Sequence, residues 1–231
     1  MIFQLIFPNR CPMCDGVMGF GESGMCEECM PKIQYVSKER CFQCGKSLDN
    51  AEEEYCYDCR NKKHLYECGR ALYEYKGIEE SLYRFKYLGR QGYGEVFAKE
   101  LAFYFGDFIR QIHPDAILYV PMHPRKERRR GYNQAKVLAK ALGKELGIPV
   151  LDGYIQRIRN TKPLKNLNSE ERINSLKKAF ILGENSVELS TVLIVDDIYT
   201  TGSTIDEITR VLQVNRKTKT YFITLAIGKG I

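Results

Sequence analysis

Past residue 70 the apolar positions fall into two alternating rhythms. Short, mainly apolar runs at "ALYEY" (71–75), "AILYV" (116–120), "TVLIV" (191–195) and "YFITLAI" (221–227) suit strands buried on both faces. Between them apolar residues return every three or four positions, the repeat of a helix with one buried face. Ile78, Leu82 and Phe85 keep that spacing in "IEESLYRFKYLG", a second such pattern covers about 95–111, and Ala135, Leu138, Leu142 and Leu146 form a third. Asn133 is a good N-cap for the third helix, and Gly147 and Pro149 end it. "VLDGYI" (150–155) offers another strand, and a last helix runs from about Ser203 to Val214. Asn168 and Glu171 frame the start of a helix through Lys178, by analogy with a capping box. Strands that alternate with helices predict an α/β domain with a central, mostly parallel sheet.

Residues 1–69 follow neither rhythm. They hold four Cys-x-x-Cys pairs, Cys11/Cys14, Cys26/Cys29, Cys41/Cys44 and Cys56/Cys59, and the second two repeat the first two 30 positions on. One such turn presents two thiolates to a metal, and two complete a tetrahedral site, for which Zn²⁺ is the fitting ion. The sequence between the pairs is polar, with too few large apolar side chains for a core, so bound metal must supply the missing stability. The repeat favours two zinc sites in sequence order, and a cross-braced pairing of first with third and second with fourth stays open. Redox catalysis is the weaker reading, since no thioredoxin-like βαβ pattern surrounds any pair. Cys68 reads as a small buried hydrophobe, and nothing requires His64 to replace a sulfur. "CGKS" at Cys44–Ser47 is not a phosphate-cradling P-loop, because the glycine needed five positions earlier is Arg40. A Cys-rich module over 1–69, of double zinc-ribbon type, therefore precedes an α/β domain over 70–231.

The formal charge of +6 divides unevenly: residues 1–69 carry 8 Lys and Arg against 11 Asp and Glu, and residues 70–231 carry 27 against 18. The basic excess suits either a polyanionic partner or a solvated surface. Arg84, Lys86 and Arg90 alternate with Tyr83, Tyr87 and Tyr93, which fits a stacking groove for single-stranded nucleic acid or an amphipathic helix with an aromatic inner face. No apolar run approaches the ~20 residues a membrane span needs. The opening "MIFQLIFPNR" lacks a basic leader and a cleavage site, so it is expected to be a packing segment and the cytoplasm the expected location.

The chemistry concentrates in "VLIVDDIYTTGST", Val192 to Thr204. In a parallel sheet, ligands bind beyond the carboxyl ends of the strands, where Asp196 and Asp197 are expected. Adjacent carboxylates are costly to bury unpaired, so they face solvent or a partner rich in donors or cations. Vicinal ribose hydroxyls are such a partner. Thr200 to Thr204 add hydroxyl donors, Gly202 lets the backbone bend close, and the free N–H groups of the following helix favour a phosphate. Carboxylates for a pentose and a nest for its 5′-phosphate thus share one segment. The acidic pair of a phosphoacceptor receiver domain would stand near that domain's start, whereas this one is near the end.

That segment resembles the phosphoribosyl pyrophosphate (PRPP) binding motif of type I phosphoribosyltransferases, with every signature position met. "VPMHPRKERRRGYNQA", "NLNSEERINSLKKAF" and the paired-cysteine front end resemble the ComF (ComFC) competence-protein family over essentially the whole chain. The resemblance implies a type I phosphoribosyltransferase fold, with residues 70–112 as hood and 113–231 as core, behind a four-cysteine zinc module. It further implies that Asp196 and Asp197 hold the ribose hydroxyls and stabilise positive charge at the reacting carbon. Thr200, Thr201, Gly202, Ser203 and Thr204 would wrap the 5′-phosphate. Met122, His123 and Arg125 would line the pyrophosphate, with Arg128, Arg129 and Arg130 helping to neutralise it, and Mg²⁺ would accompany PRPP. The loop 157–168 is expected to close as a lid.

Two function classes follow. One is a PRPP-binding protein of natural transformation that contacts single-stranded DNA through Arg84, Lys86 and Arg90, works with other competence proteins and meets the inner membrane face through them. The other is an orphan phosphoribosyltransferase that releases pyrophosphate on a nucleobase-like acceptor and has no DNA role.

Overall fold

The structure, a computed structural model, describes residues 8–159, 178–184, 186–214 and 217–228. Among them six strands follow in chain order: β1 (Cys68–Glu74), β2 (Ala116–Tyr119), β3 (Ile155–Arg157), β4 (Phe180–Leu182), β5 (Thr191–Tyr199) and β6 (Lys219–Ile227). The helices are α1 (Tyr57–Asn61), α2 (Glu79–Tyr87), α3 (Tyr93–Ile112), α4 (Pro124–Arg130), α5 (Gln134–Leu146) and α6 (Ser203–Leu212). The expected packing segment at the N-terminus lies largely outside the described residues. So do most of the loop at 157–168 and the helix expected from Asn168.

β1, β6, β5 and β2 form one sheet in that order, parallel throughout. Parallel strands need crossovers, and the crossovers cover both faces, so the strands are apolar on both sides. Val192, Leu193, Ile194 and Val195 are all fully buried on β5, and Phe222, Ile223 and Leu225 on β6. Each such side chain contributes about 1.5–3 kcal/mol by leaving water. α5 packs on β2 and β5, α3 packs on α5, and α6 lies against β4.

Two boundaries differ from the sequence expectation. β5 does not stop at Val195 but runs through the acidic pair to Tyr199, because β6 continues beside it and pairs with Asp196, Ile198 and Tyr199. "VLDGYI" splits in two. Val150 makes a single parallel bridge to Ile117, and a turn at Gly153 (φ 71°) then sends β3 away to pair antiparallel with β4.

The cysteine-rich segment is knit into this sheet. Val36 N donates to Leu72 O at 3.0 Å and Glu74 N to Gln34 O at 2.9 Å, so residues between the two cysteine quartets line the free edge of β1. That contact closes an edge otherwise open to strand pairing. Cys68 lies inside β1, half-buried, and burial pushes its thiol up. β1 therefore begins two residues before the expected domain boundary.

Asn133 links α5 to the end of β2. Its side-chain oxygen accepts from Ala135 N (3.0 Å) and Lys136 N (3.4 Å), while its amide nitrogen donates to Val120 O at 3.0 Å. Asn133→Ala removes a cap and leaves a buried carbonyl unpaired, so chemical denaturation should show a loss of about 2–3 kcal/mol. A loss under ~0.5 kcal/mol, the scale of an ordinary surface change, would contradict this role.

Candidate functional site

The cysteines assemble in sequence order. Cys11, Cys14, Cys26 and Cys29 form one quartet and Cys41, Cys44, Cys56 and Cys59 the other, all sulfurs of each lying within 4.8 Å of one another. Cys14 and Cys26 sulfurs are 3.8 Å apart, and Cys44 and Cys56 sulfurs 3.7 Å. Four sulfurs at ~2.3 Å from one tetrahedral ion stand ~3.8 Å apart, so both quartets fit zinc and the cross-braced pairing is excluded. In the second quartet, hydrogen bonds from Cys44, Cys56 and Cys59 hold the Cys41 thiol far down, while Cys41 in turn pushes Cys44 and Cys59 up. Packed thiols resist ionising together, and a divalent cation removes that conflict. Lys46 of "CGKS" pairs with Asp58 at 2.6 Å. Neither His64 nor Cys68 joins a quartet.

At the carboxyl edge of β5, residues 200–204 turn into α6 and enclose a pocket with Asp196 and Thr224. Gly202 makes the turn possible at φ 72°, and a Cβ there would lie 2.6 Å from the Tyr199 hydroxyl. Thr201 and Ser203 hydroxyls lie 3.0 Å apart, one donating to the other. Asp196 accepts from Asp197 N at 2.9 Å. Burial, reinforced by the Asp197 charge, pushes the Asp196 carboxyl up to about 8. Such a carboxyl calls for a cation or hydroxyl donors. Asp197, next on the strand, does not line this pocket, and its carboxylate pairs with Lys86 at 2.9 Å.

A second cavity of about 270 Å³ is lined by Tyr87, Lys126, Arg129 and Arg130. Arg130 lies over the Tyr87 ring at 4.7 Å from its centre and contacts the Met122 sulfur. His123 caps α4, its Nδ1 accepting from Arg125 N at 3.2 Å. Arg125, Arg128 and Arg129 are exposed.

The three cations expected to meet nucleic acid are all bound within the chain. Arg84 donates to Met13 O at 2.5 Å, Lys86 pairs with Asp197, and Arg90 pairs with Asp15 at 2.7 Å. Of their aromatic neighbours, Tyr93 is buried and donates to Asp15, whereas Tyr83 and Tyr87 stay exposed with ring centres 5.1 Å apart. Arg84 and Arg90 thus fix the first cysteine quartet against α2 and α3, and Lys86 belongs to the acidic pair.

Sequence reasoning missed three groups here. Thr224 reaches the pocket because β6 pairs it with Asp196, and no local pattern marks it. Arg157, on β3, acts electrostatically on Asp196. Asp206, one turn into α6, accepts from Lys62, His64 and Leu65 N. Burial alone would raise its carboxyl, but the His64 bond, with Leu65 N and Lys62, holds it below the usual range.

Comparison with known proteins now bears on these sites. A double zinc ribbon domain model matches residues 2–60, and a phosphoribosyl transferase domain model matches residues 128–225. Competence protein F of Haemophilus influenzae is 39% identical over 102 residues, 43% of this chain and 44% of that protein. DNA utilization protein YhgH of Salmonella typhi is 40% identical over 102 residues, 44% of each. Competence protein ComFC of Bacillus subtilis is 29% identical over 140 residues, 59% of this chain and 54% of that protein.

Together these matches support a place for the chain in the ComF family. The chain spans about half the length of the curated relatives it matches. Its architecture joins two zinc-ribbon quartets to a phosphoribosyltransferase-like domain. Residues 61–127, including α2, Lys62 and His64, fall outside both matched models. Among the described residues no helix is long and apolar enough to cross a membrane.

Metal analysis should return two zinc ions per chain, one for each quartet. A chelator should strip the first quartet sooner, because Cys14 is exposed and Cys26 and Cys29 are only half-buried, whereas Cys41, Cys44 and Cys56 are buried. One zinc per chain, or indistinguishable release, would contradict this.

Proposed function

We propose that the chain binds PRPP with Mg²⁺ and serves natural transformation, a reading supported by relatives that are named competence proteins. The observation that carries the sugar-phosphate part is a single pocket uniting Asp196, the 200–204 loop and Thr224 at the carboxyl edge of a parallel sheet. In this reading the 5′-phosphate sits on the loop's amides and hydroxyls at the start of α6. The ribose hydroxyls donate to Asp196 and Asp197, whose clustered charge Lys86 partly balances. The pyrophosphate extends toward Met122 and His123 and to Arg125, Arg128 and Arg130. These cations, with the cavity-lining Lys126 and Arg129, have the sign that a diphosphate needs.

Bound with PRPP beside Asp196 and Asp197, Mg²⁺ would supply charge neutralisation for the diphosphate. The chain's own share is to orient the pentose, to stabilise positive charge at the anomeric carbon with the acidic pair, and to retain the departing anion on arginines.

A second reading, a phosphoribosyltransferase without a DNA role, gains from one observation: Arg84, Lys86 and Arg90 are committed to partners inside the chain. Exposed Arg125, Arg128 and Arg129 remain for the DNA reading. The proposed location is the cytoplasm, whose reducing chemistry suits thiolate–zinc sites.

Calorimetric titration of PRPP with Mg²⁺ tests the pocket. Wild type should bind, and Asp196→Asn/Asp197→Asn should bind roughly ten- to a hundredfold more weakly, the scale of lost charge-assisted bonds. Absence of heat, or equal binding by the variant, would sink the sugar-phosphate assignment. Single-strand binding that weakens steeply with salt favours the DNA reading, and its absence favours the second.

A further inference from the structure

The last residues of the cysteine-rich module touch the phosphate loop itself. Lys62 follows α1, three residues after Cys59, and its ammonium donates to Thr201 O at 3.2 Å and to Asp206 at 3.0 Å. His64, its side chain almost fully buried, donates from Nδ1 to the same Asp206 oxygen at 2.9 Å. Leu65 N donates to the other Asp206 oxygen at 3.0 Å, and Tyr66 and Tyr199 hydroxyls meet at 2.7 Å. A Cβ on Gly202 would stand 2.9 Å from the His64 ring, so the imidazole packs against the backbone of the turn.

Each contact bears on anion binding. In a planar trans peptide the carbonyl and the following N–H point in opposite directions. Lys62 draws Thr201 O toward the module and so turns the Gly202 N–H away from it. The same bond keeps a carbonyl oxygen, which would repel phosphate, on the module side. Asp206 is an anion in the first turn of α6, in competition with a phosphate at that helix start. Lys62, His64 and Leu65 N concentrate their donors on it and offset that repulsion. The placement of Lys62 is in turn set by the turn that carries Cys56 and Cys59.

We infer that Lys62, His64 and Asp206 are positioning residues, a clamp through which metal at Cys41, Cys44, Cys56 and Cys59 sets the affinity of the 200–204 loop for a sugar 5′-phosphate. The inference rests on the sugar-phosphate reading and adds that the second zinc ribbon is part of that site. Because coupling between two binding equilibria is reciprocal, a bound sugar phosphate must also strengthen zinc binding at the second quartet.

The test uses the full, zinc-loaded chain and ribose 5-phosphate as probe. Lys62→Met, at a side chain one-third exposed, should melt near wild type yet bind the probe roughly tenfold more weakly, with Lys62→Arg restoring most of the loss. Competition with a zinc chelator at equilibrium should show saturating probe raising the zinc affinity of the slower site in wild type and not in Lys62→Met. Asp206→Asn is the second variant, and the probe should raise its zinc affinity less than in wild type. Probe binding by Lys62→Met equal to wild type, or zinc affinity indifferent to the probe, overturns the clamp. A wild-type chain that ignores ribose 5-phosphate instead overturns the sugar-phosphate reading on which it stands, and that result appears before any variant is made.

Discussion

Parallel pairing of β5 with both β2 and β6 is the constraint on which the rest of the molecule depends. It sends the carboxyl ends of all four sheet strands to one rim. The segment after β2, which carries His123 and the arginines of α4, therefore meets the loop after β5, although some 70 residues separate them in the chain. The cost of a parallel sheet is that both faces must be covered. α3 and α5 meet that demand on one side, and the hydrophobic stripe of α6 is buried through Ile205, Ile208 and Leu212. An apolar strand that emerges into two carboxylates has no use for them in packing. Their placement makes sense as ligand chemistry at the rim.

The cysteine module solves a different physical problem. Its two quartets replace a hydrophobic core with metal–sulfur bonds, and its surfaces are then free to serve the α/β domain. Asp15 in the first knuckle takes Arg90 and Tyr93, residues 34–36 cover the edge of β1, and Lys62 to Tyr66 reach α6 and β5. Three separate contacts of this kind make the module a buttress for the rim that α6 opens.

Much of this was legible in the sequence, and the rest was hidden for identifiable reasons. The sheet strands and α2, α3, α5 and α6 follow from apolar runs and helical spacing, because burial imposes those periods directly. Asn133 was readable as a cap because its partners are two and three residues away. The sequential zinc pairing was favoured by the 30-residue repeat, but a crossed arrangement stayed open until sulfur–sulfur distances decided between them. β3 was misjudged because its partner, β4, begins only at Phe180, and the residues of β3 do not announce a pairing that far along the chain. Arg84, Lys86 and Arg90 fit either a nucleic-acid stripe or an amphipathic helix with an aromatic inner face, and neither reading shows them as ties within the chain. Their partners, Met13, Asp197 and Asp15, are far away in sequence, and charge alternation on a helix carries no information about them. Thr224 and Asp206 are invisible for the same reason.

The central claim is that the 200–204 loop, beside Asp196, is the seat of a sugar phosphate. Amide NMR of the zinc-loaded chain titrated with ribose 5-phosphate measures this most directly. The account predicts saturable shifts at the amides of Thr201, Gly202, Ser203 and Thr204, with those of Arg125, Arg128 and Arg130 responding only when pyrophosphate is added. Shifts confined to the arginine segment, with the loop amides unmoved, would contradict it.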